Sequence, residues 1–184
     1  MQRYPVNVLL LMVCAMGLMT LGACQTAPDT AEGKADIERD AEAALSRAKA
    51  TDPSLKPIFK DAAGYAVFPS VGKGAAGVGG AYGKGVLYED GDIIGYCDVS
   101  QASIGFQLGG QAYTEIVVFE TEDAINTFKQ GNFRFDAQAT AVALKSGVGA
   151  NAKYVNGVVV FTMDEAGLMY EASIGGQKFG YQPK

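Results

Sequence analysis

Apolar residues recur at helical spacing ahead of residue 64 and at a spacing of two beyond it. Ile37, Ala41, Ala44, Leu45 and Ala48 form a narrow stripe among charged residues, which predicts a helix over 34–50. Asp36, Glu38, Asp40 and Glu42 crowd the first half of that helix. Anionic lipid would repel them, so the stripe is expected to pack on the protein rather than lie on a bilayer. Asp52 before Pro53 reads as a cap with proline in the first turn. A short helix over 53–61 follows, with Leu55, Ile58 and Phe59 inward. From Gly64 onward the expectation is mostly strand. Glu89-Asp90-Gly91-Asp92 is a hairpin turn between Val86-Leu87-Tyr88 and Ile93-Ile94. Ile104, Phe106 and Leu108 alternate with Ser103, Gly105 and Gln107, and Ile116 to Phe119 is apolar throughout, as in a strand buried on both faces. Thr121 caps a third helix over 122–130, with Ala124, Ile125 and Phe128 inward. Asn156-Gly157 joins two more strands, and Gly175-Gly176 turns the last pair. The pattern as a whole predicts an α+β domain: a mainly antiparallel sheet curled toward a barrel, with Gly-rich strands and a few packed helices.

The stretch from Phe68 to Tyr88 is dense in glycine and needs a reason. Gly72-Lys73-Gly74-Ala75-Ala76-Gly77 fits the dinucleotide fingerprint by letter, but that fingerprint requires a helix to open after it. Val78-Gly79-Gly80-Ala81-Tyr82-Gly83 is too glycine-rich for one. A phosphate-loop reading of Gly79 to Lys84 is one residue short, with Gly85 where a metal-binding hydroxyl belongs. Read with period two, Ala75, Gly77, Gly79, Ala81, Gly83 and Gly85 share one face, and Val78, Tyr82, Lys84, Val86 and Tyr88 share the other. One face is nearly bare backbone, which another layer can approach closely. Ser103 to Gly109, and Ala137, Ala139, Ala141 and Ala143, repeat the pattern more weakly.

The N-terminus has its own signature. Arg3, the apolar run from Val6 to Leu18 and the small residues before Cys24 read as a secretory signal over 1–23 rather than a spanning helix. Leu21-Gly22-Ala23-Cys24 resembles a bacterial lipobox. That resemblance implies that Cys24 becomes the first mature residue and carries acyl chains such as palmitate, which anchor stably. Gln25 in place of aspartate favours the outer membrane, with the domain facing the periplasm. Residues 24–33 are polar and small, as in a flexible tether, and 34–184 form one domain. With Cys14 removed and Cys24 acylated, Cys97 is the remaining thiol, so no internal disulfide forms. Loss of Arg3 leaves a mature net charge near −6, which opposes nucleic-acid binding. The absence of histidine excludes Ser-His-Asp chemistry and H-E-x-x-H zinc sites. No catalytic residue, metal ligand or cofactor is therefore expected. Asp98, Glu115 and Asp136 are the carboxylates that a glycosidase reading would have to pair.

Several segments carry a wider likeness. Gly64-Tyr65-Ala66-Val67-Phe68-Pro69-Ser70-Val71, the strand ending Tyr82-Gly83-Lys84-Gly85-Val86-Leu87, and Ser103-Ile104-Gly105-Phe106-Gln107-Leu108-Gly109-Gly110-Gln111 resemble the SYLF domain. So do Ile116-Val117-Val118-Phe119, the helix to Phe128, and Gly167-Leu168-Met169-Tyr170-Glu171-Ala172-Ser173-Ile174-Gly175-Gly176. The likeness runs in order over about residues 55–182. It implies a non-enzymatic lipid-binding module, whose eukaryotic members bind phosphoinositides and actin and whose bacterial members are often lipoproteins. This chain lacks the tryptophan common after the acidic turn, where Ile94-Gly95-Tyr96 stands, and its N-terminal segment is acidic. Phosphoinositide and actin binding are not carried over, because a bacterial periplasm offers neither. Lys73 and Lys84 flank the Gly-rich strand as candidate contacts for lipid phosphate. Two functions remain open: a tethered module binding a phospholipid ligand or the envelope, and an interaction module pairing its β faces or edges with an envelope protein.

Overall fold

The computed structural model describes residues 26–131, 133–135, 140–164 and 172–184. Cys24 and the signal segment lie outside the described residues, as do Asp136, Ala137, Ala139 and the stretch 165–171. Helix α1 spans Ala31–Thr51, three residues earlier than the apolar stripe predicts, because the Thr30 hydroxyl caps it by accepting from Gly33 N–H at 3.0 Å. Helix α2 spans Leu55–Asp61, so Pro53 precedes it rather than opening it. The Asp52 carboxylate nonetheless accepts from Ser54 N–H at 3.0 Å, the capping role its position suggests. Helix α3 spans Glu122–Lys129 and is capped by the Thr121 hydroxyl, which accepts from Ala124 N–H.

Strand β1 covers Gly64–Glu89 and β2 covers Asp92–Phe119; they pair antiparallel as one very long hairpin. Asp90 and Gly91 close it with φ of 52° and 88°, the left-handed pair a two-residue hairpin turn needs. The remaining strands are short: β3 Thr140–Ala143, β4 Val158–Asp164, β5 Ala172–Ser173 and β6 Lys178–Pro183. The sheet runs β1-β2-β4-β3-β5, with β6 on the first part of β2; β3 and β4 are parallel and the other ladders antiparallel. Gly176 turns the chain at φ 76°, but β5 and β6 do not pair with each other: β5 joins β3 and β6 joins β2. Asn156 and Gly157 likewise form a tight left-handed turn, bracketed by a bridge between Val155 and Val158.

Alternation along the strands sends side chains to two separate cores. Ala66, Phe68, Leu87, Cys97, Val99, Val117 and Phe119 fill one, with α3 inserting Ile125 and Phe128 among them. Phe119 and Phe128 lie 5.0 Å apart between ring centroids, and Phe179 lies 5.3 Å from Phe128. Such aromatic pairs add roughly 0.5–1.5 kcal/mol each beyond area burial. Tyr65, Val67, Val86, Tyr88, Tyr96, Ile116 and Val118 face the other side, where the Ala41, Ala44, Leu45 and Ala48 stripe covers them. Ile116 to Phe119 is thus buried on both faces, as its unbroken apolar run predicts. Helix α1 is also held by polar contacts: Tyr96 OH donates to Glu38 at 2.7 Å, Lys184 pairs with Glu38 at 2.9 Å, and Lys34 sits over the Tyr96 ring. The polar face of α1 points outward and its alanines point in, so the stripe packs on the protein.

The glycine face is where the long hairpin meets itself. Gly77 pairs with Gly105 inside the ladder, so no helix opens after the fingerprint-like run. Register shifts at Phe68/Val71, Ala75/Gly77 and Leu87/Tyr88 bend the hairpin. The first part of β1 then lies over its last part. A Cβ on Gly83 would stand 2.9 Å from both Ser70 O and Val71 Cγ2. One on Gly85 would meet the Val67 carbonyl oxygen and stand 2.8 Å from Phe68 Cδ1. Ala81, Gly83 and Gly85 are buried as a set, and Gly79 is buried too. The environments at Ala75 and Gly77 lie outside the described side chains. The expected curl stops short of closure: among the described residues no ladder joins β1 to β5 or β6, and the sheet is not a barrel.

Valine at Gly83 should therefore destabilise the domain by about 1–3 kcal/mol, the usual cost of overpacking, despite valine's better strand propensity. Neither Gly83 nor Gly74 has a positive φ. Alanine thus reports bulk alone: Gly83→Ala should lower the melting temperature, whereas Gly74→Ala, with nothing within 4 Å, should leave it unchanged or slightly raised. Thermal melts of the three variants check this, and valine tolerated at Gly83 would refute the close packing.

Candidate functional site

One flank of α1 and the bend of β1 enclose a groove of about 370 Å³. Helical spacing brings Ile37, Asp40, Ala43 and Arg47 to the same flank, beside the buried stripe. Pro69, Ser70 and Lys84 supply the opposite wall. The register shift between Phe68 and Val71 puts Pro69 and Ser70 there. Pro69 has no N–H to lose, and its carbonyl is satisfied by the Thr114 hydroxyl at 2.8 Å, which leaves Ser70 exposed at the rim. Lys84 is half-buried and reaches the wall from the strand that Gly83 and Gly85 bring close.

The charges in the groove do not cancel. Arg47 makes no ion pair among the described residues. Lys84 donates to the Ala27 carbonyl at 3.2 Å, and Asp98 stands opposite it on β2. Asp40 is drawn toward Arg39, 3.5 Å away, on the solvent side. Two cations and one acid line apolar walls, which suits an anion carrying an apolar portion. A second groove of about 360 Å³ beside α3 is lined by Asp123 and Arg134 in equal number and has no such bias.

Lys84 lines this groove. Lys73 does not: it lies opposite Gln111 on β2, beyond the bend, and is absent from the groove lining. Sequence reading missed Arg47 and Ser70. The signal for Arg47 was its spacing from Ile37, Asp40 and Ala43, visible once the stripe at Ala44 and Ala48 is fixed as the buried face. Ser70 had none, since a strand bend cannot be read from the letters. Ala27, within the stretch read as a flexible tether, lies against the domain. Ala27 is buried, its carbonyl accepts from Lys84, and its N–H points to Gln182 Oε1 at 3.4 Å.

Of the carboxylates of the glycosidase reading, Asp98 and Glu115 lie apart on β2, and Asp136 lies outside the described residues. Asp98 faces Lys84 on one stretch of β2, and Glu115 is wholly buried on another. Glu115 accepts from Gln177 Nε2 at 2.9 Å. Burial pushes its carboxyl up to about 7, against the opposing pull of hydrogen bonds from Gln177 and Tyr113. The Cys97 thiol is fully buried, and burial raises it far above its ordinary value. Asp52 is different. Burial alone would raise it, but hydrogen bonds from Gly149 N–H at 2.6 Å, from Ser54, and from Gly147 N–H at 3.0 Å hold it down to about 2. It thereby staples the α1–α2 corner to the 3₁₀ turn Gly149–Asn151.

With the fold and groove in place, comparison with known proteins shows what the chain resembles. Residues 100–182 match the family described as Ysc84, Las17-binding protein actin regulator. That match agrees with the SYLF likeness that the glycine-rich and apolar segments carry. The chain is also similar to Beta cell expansion factor A of Aeromonas veronii, at 30% identity over 161 residues covering 83% of this chain. It spans 59% of that relative's length.

Two pH dependences follow with opposite signs. Glu115 binds its proton more tightly folded than unfolded, so its contribution is full below about pH 4.5 and is lost as pH rises through about 7. Glu115→Gln, which mimics the protonated acid, should stabilise the protein on the order of 2–3 kcal/mol at pH 8 and leave it unchanged at pH 4.5. Asp52 contributes above pH 3.8, and its contribution disappears as pH falls toward 2. Asp52→Ala should cost roughly 2–4 kcal/mol at pH 7, since it leaves buried N–H groups without partners. Urea titrations across pH measure both, and a Glu115→Gln profile parallel to wild type would contradict the first.

Proposed function

We propose that this protein is a non-enzymatic lipoprotein of the outer membrane, held by acyl chains on Cys24, whose SYLF-like domain faces the periplasm and binds lipid. The observation that supports the reading most is the docking of Ala27. The chain enters the domain only three residues after Cys24, beside the Lys84 side chain that lines the cationic groove. The proposed membrane attachment and an anion-suited groove thus fall on one side of the domain. The family's described role in actin regulation is not transferred, because the first half of α1 is acidic and the groove, not that helix face, gathers the cations.

A module that pairs with an envelope protein is the alternative, and cross-linking in intact cells separates the two by trapping a reproducible protein neighbour. The anchoring itself has a direct test. Cys24→Ser should give an unacylated protein that no longer fractionates with the outer membrane. Full retention of the variant there would show that the folded domain, and not the acyl anchor, attaches the protein.

A further inference from the structure

We infer that Glu115, Thr162, Gln177 and Tyr113 form an interior site for a sodium ion, held by oxygen atoms inside the core that α3 helps to fill. The inference is independent of membrane attachment. Its first support is position. Glu115 lies between Phe68 on β1 and Thr162 on β4 in one row across the sheet. Residues paired in this way point to the same face, with Cβ atoms about 4.5–5.5 Å apart. Tyr113, two residues back on β2, shares that face and belongs to the same core as Phe68. Gln177, from the turn before β6, reaches the same place: its Nε2 donates to Glu115 Oε2 at 2.9 Å and to the Tyr113 hydroxyl at 3.4 Å. All four residues are buried, none of them more than 1% exposed.

The second support is the unmet bonding capacity of these groups. Glu115 Oε1, Gln177 Oε1 and Thr162 Oγ1 have no hydrogen-bond partner among the described residues, whereas buried oxygens in native proteins are nearly always matched. Nor does a Lys or Arg among the described residues form an ion pair with Glu115. Its charge thus stands uncompensated beside Phe68, Val117 and Ile174. Bare oxygens, one of them charged, define the ligand: hard donors of this kind select alkali and alkaline-earth ions over transition metals. Charge balance decides within that class. One carboxylate cancels one positive charge, and among the described residues no group of three His, Cys, Asp or Glu side chains gathers to hold a metal ion. A divalent ion would leave net charge in the interior. A water molecule would bridge the same oxygens but leave the carboxylate uncompensated. A proton on Glu115 cancels the charge but supplies a single O–H for the two remaining oxygens. Sodium and the proton compete for Glu115, so the pH dependence given above is that of the sodium-free protein.

The test uses the full-length chain in detergent at pH 8, where the Glu115 carboxylate is mostly ionised. Melting temperatures are compared in choline, sodium, potassium and calcium chloride at equal ionic strength. Sodium in tenfold excess over its Kd should raise the melting temperature by about 3–6 °C over choline. The rise should vanish in Glu115→Gln, and Thr162→Val should need a higher sodium concentration to reach the same rise. The sodium NMR line should broaden with the wild type and stay narrow with Glu115→Gln, which reports binding itself whatever a substitution does to stability. Equal melting temperatures in sodium and choline overturn the site, and so does a sodium-dependent rise that survives Glu115→Gln. A rise in potassium as large as in sodium, or a larger one in calcium, overturns the assignment to sodium.

Discussion

The first and last parts of β1 touch because Gly83 and Gly85 carry no side chains. The backbone at Ser70 and Val67 and the side chains of Val71 and Phe68 occupy the space a Cβ would need. That approach folds a hairpin of 26- and 28-residue strands over on itself. A hairpin of that length left extended would expose both faces to water. Once doubled over, it encloses Phe68, Val99, Val117 and Phe119 on one side and offers Val67, Val86 and Val118 to α1 on the other. The bend at Pro69 and Ser70 is part of the same geometry, and so is the wall of the groove. Close packing and candidate site therefore depend on the same missing side chains.

Much of this was legible from the letters. The period-two arrangement of Ala81, Gly83 and Gly85 gave the bare face, and the stripe from Ala41 to Ala48 gave the docked face of α1. Asp90-Gly91 gave the turn, since that pair tolerates the left-handed backbone it requires. The failures have physical reasons. Strand pairing between β3 and β4, or between β6 and the start of β2, depends on distant chain meeting distant chain, which local periodicity does not encode. The α+β class followed from the pattern, but closure into a barrel depends on which edges find partners. Lys73 and Lys84 looked equivalent as flanks of one strand, and only the bend separates them. The docked course of Ala27 was also hidden, because small polar residues read the same whether they are free or held by a lysine.

Two buried carboxylates meet the low-dielectric interior in opposite ways. Asp52 ties a helix corner to a loop almost a hundred residues away in sequence, using hydrogen bonds that only the ionised carboxylate accepts well. Glu115 does the opposite. It sits where a charge is costly, facing Gln177 from the segment before β6, and burial favours its proton. The cations at the surface are arranged differently again: Arg47 and Lys84 lie across a groove, with Lys84 held by the Ala27 carbonyl and Asp40 on the same wall as Arg47.

The folded-over hairpin is the claim on which the rest stands, and proton–proton contacts measure it without any substitution. Gly85 and Phe68 are seventeen residues apart along one strand, too far to meet if β1 is extended. In the bent hairpin, the Phe68 ring lies 2.8 Å from where a Cβ of Gly85 would be. A nuclear Overhauser spectrum of the protein should show strong cross-peaks between the Gly85 α-protons and the Phe68 ring protons. Their absence, with both sets of resonances assigned and sharp, would mean that β1 does not double back, and the packing of the glycine face would have to be abandoned.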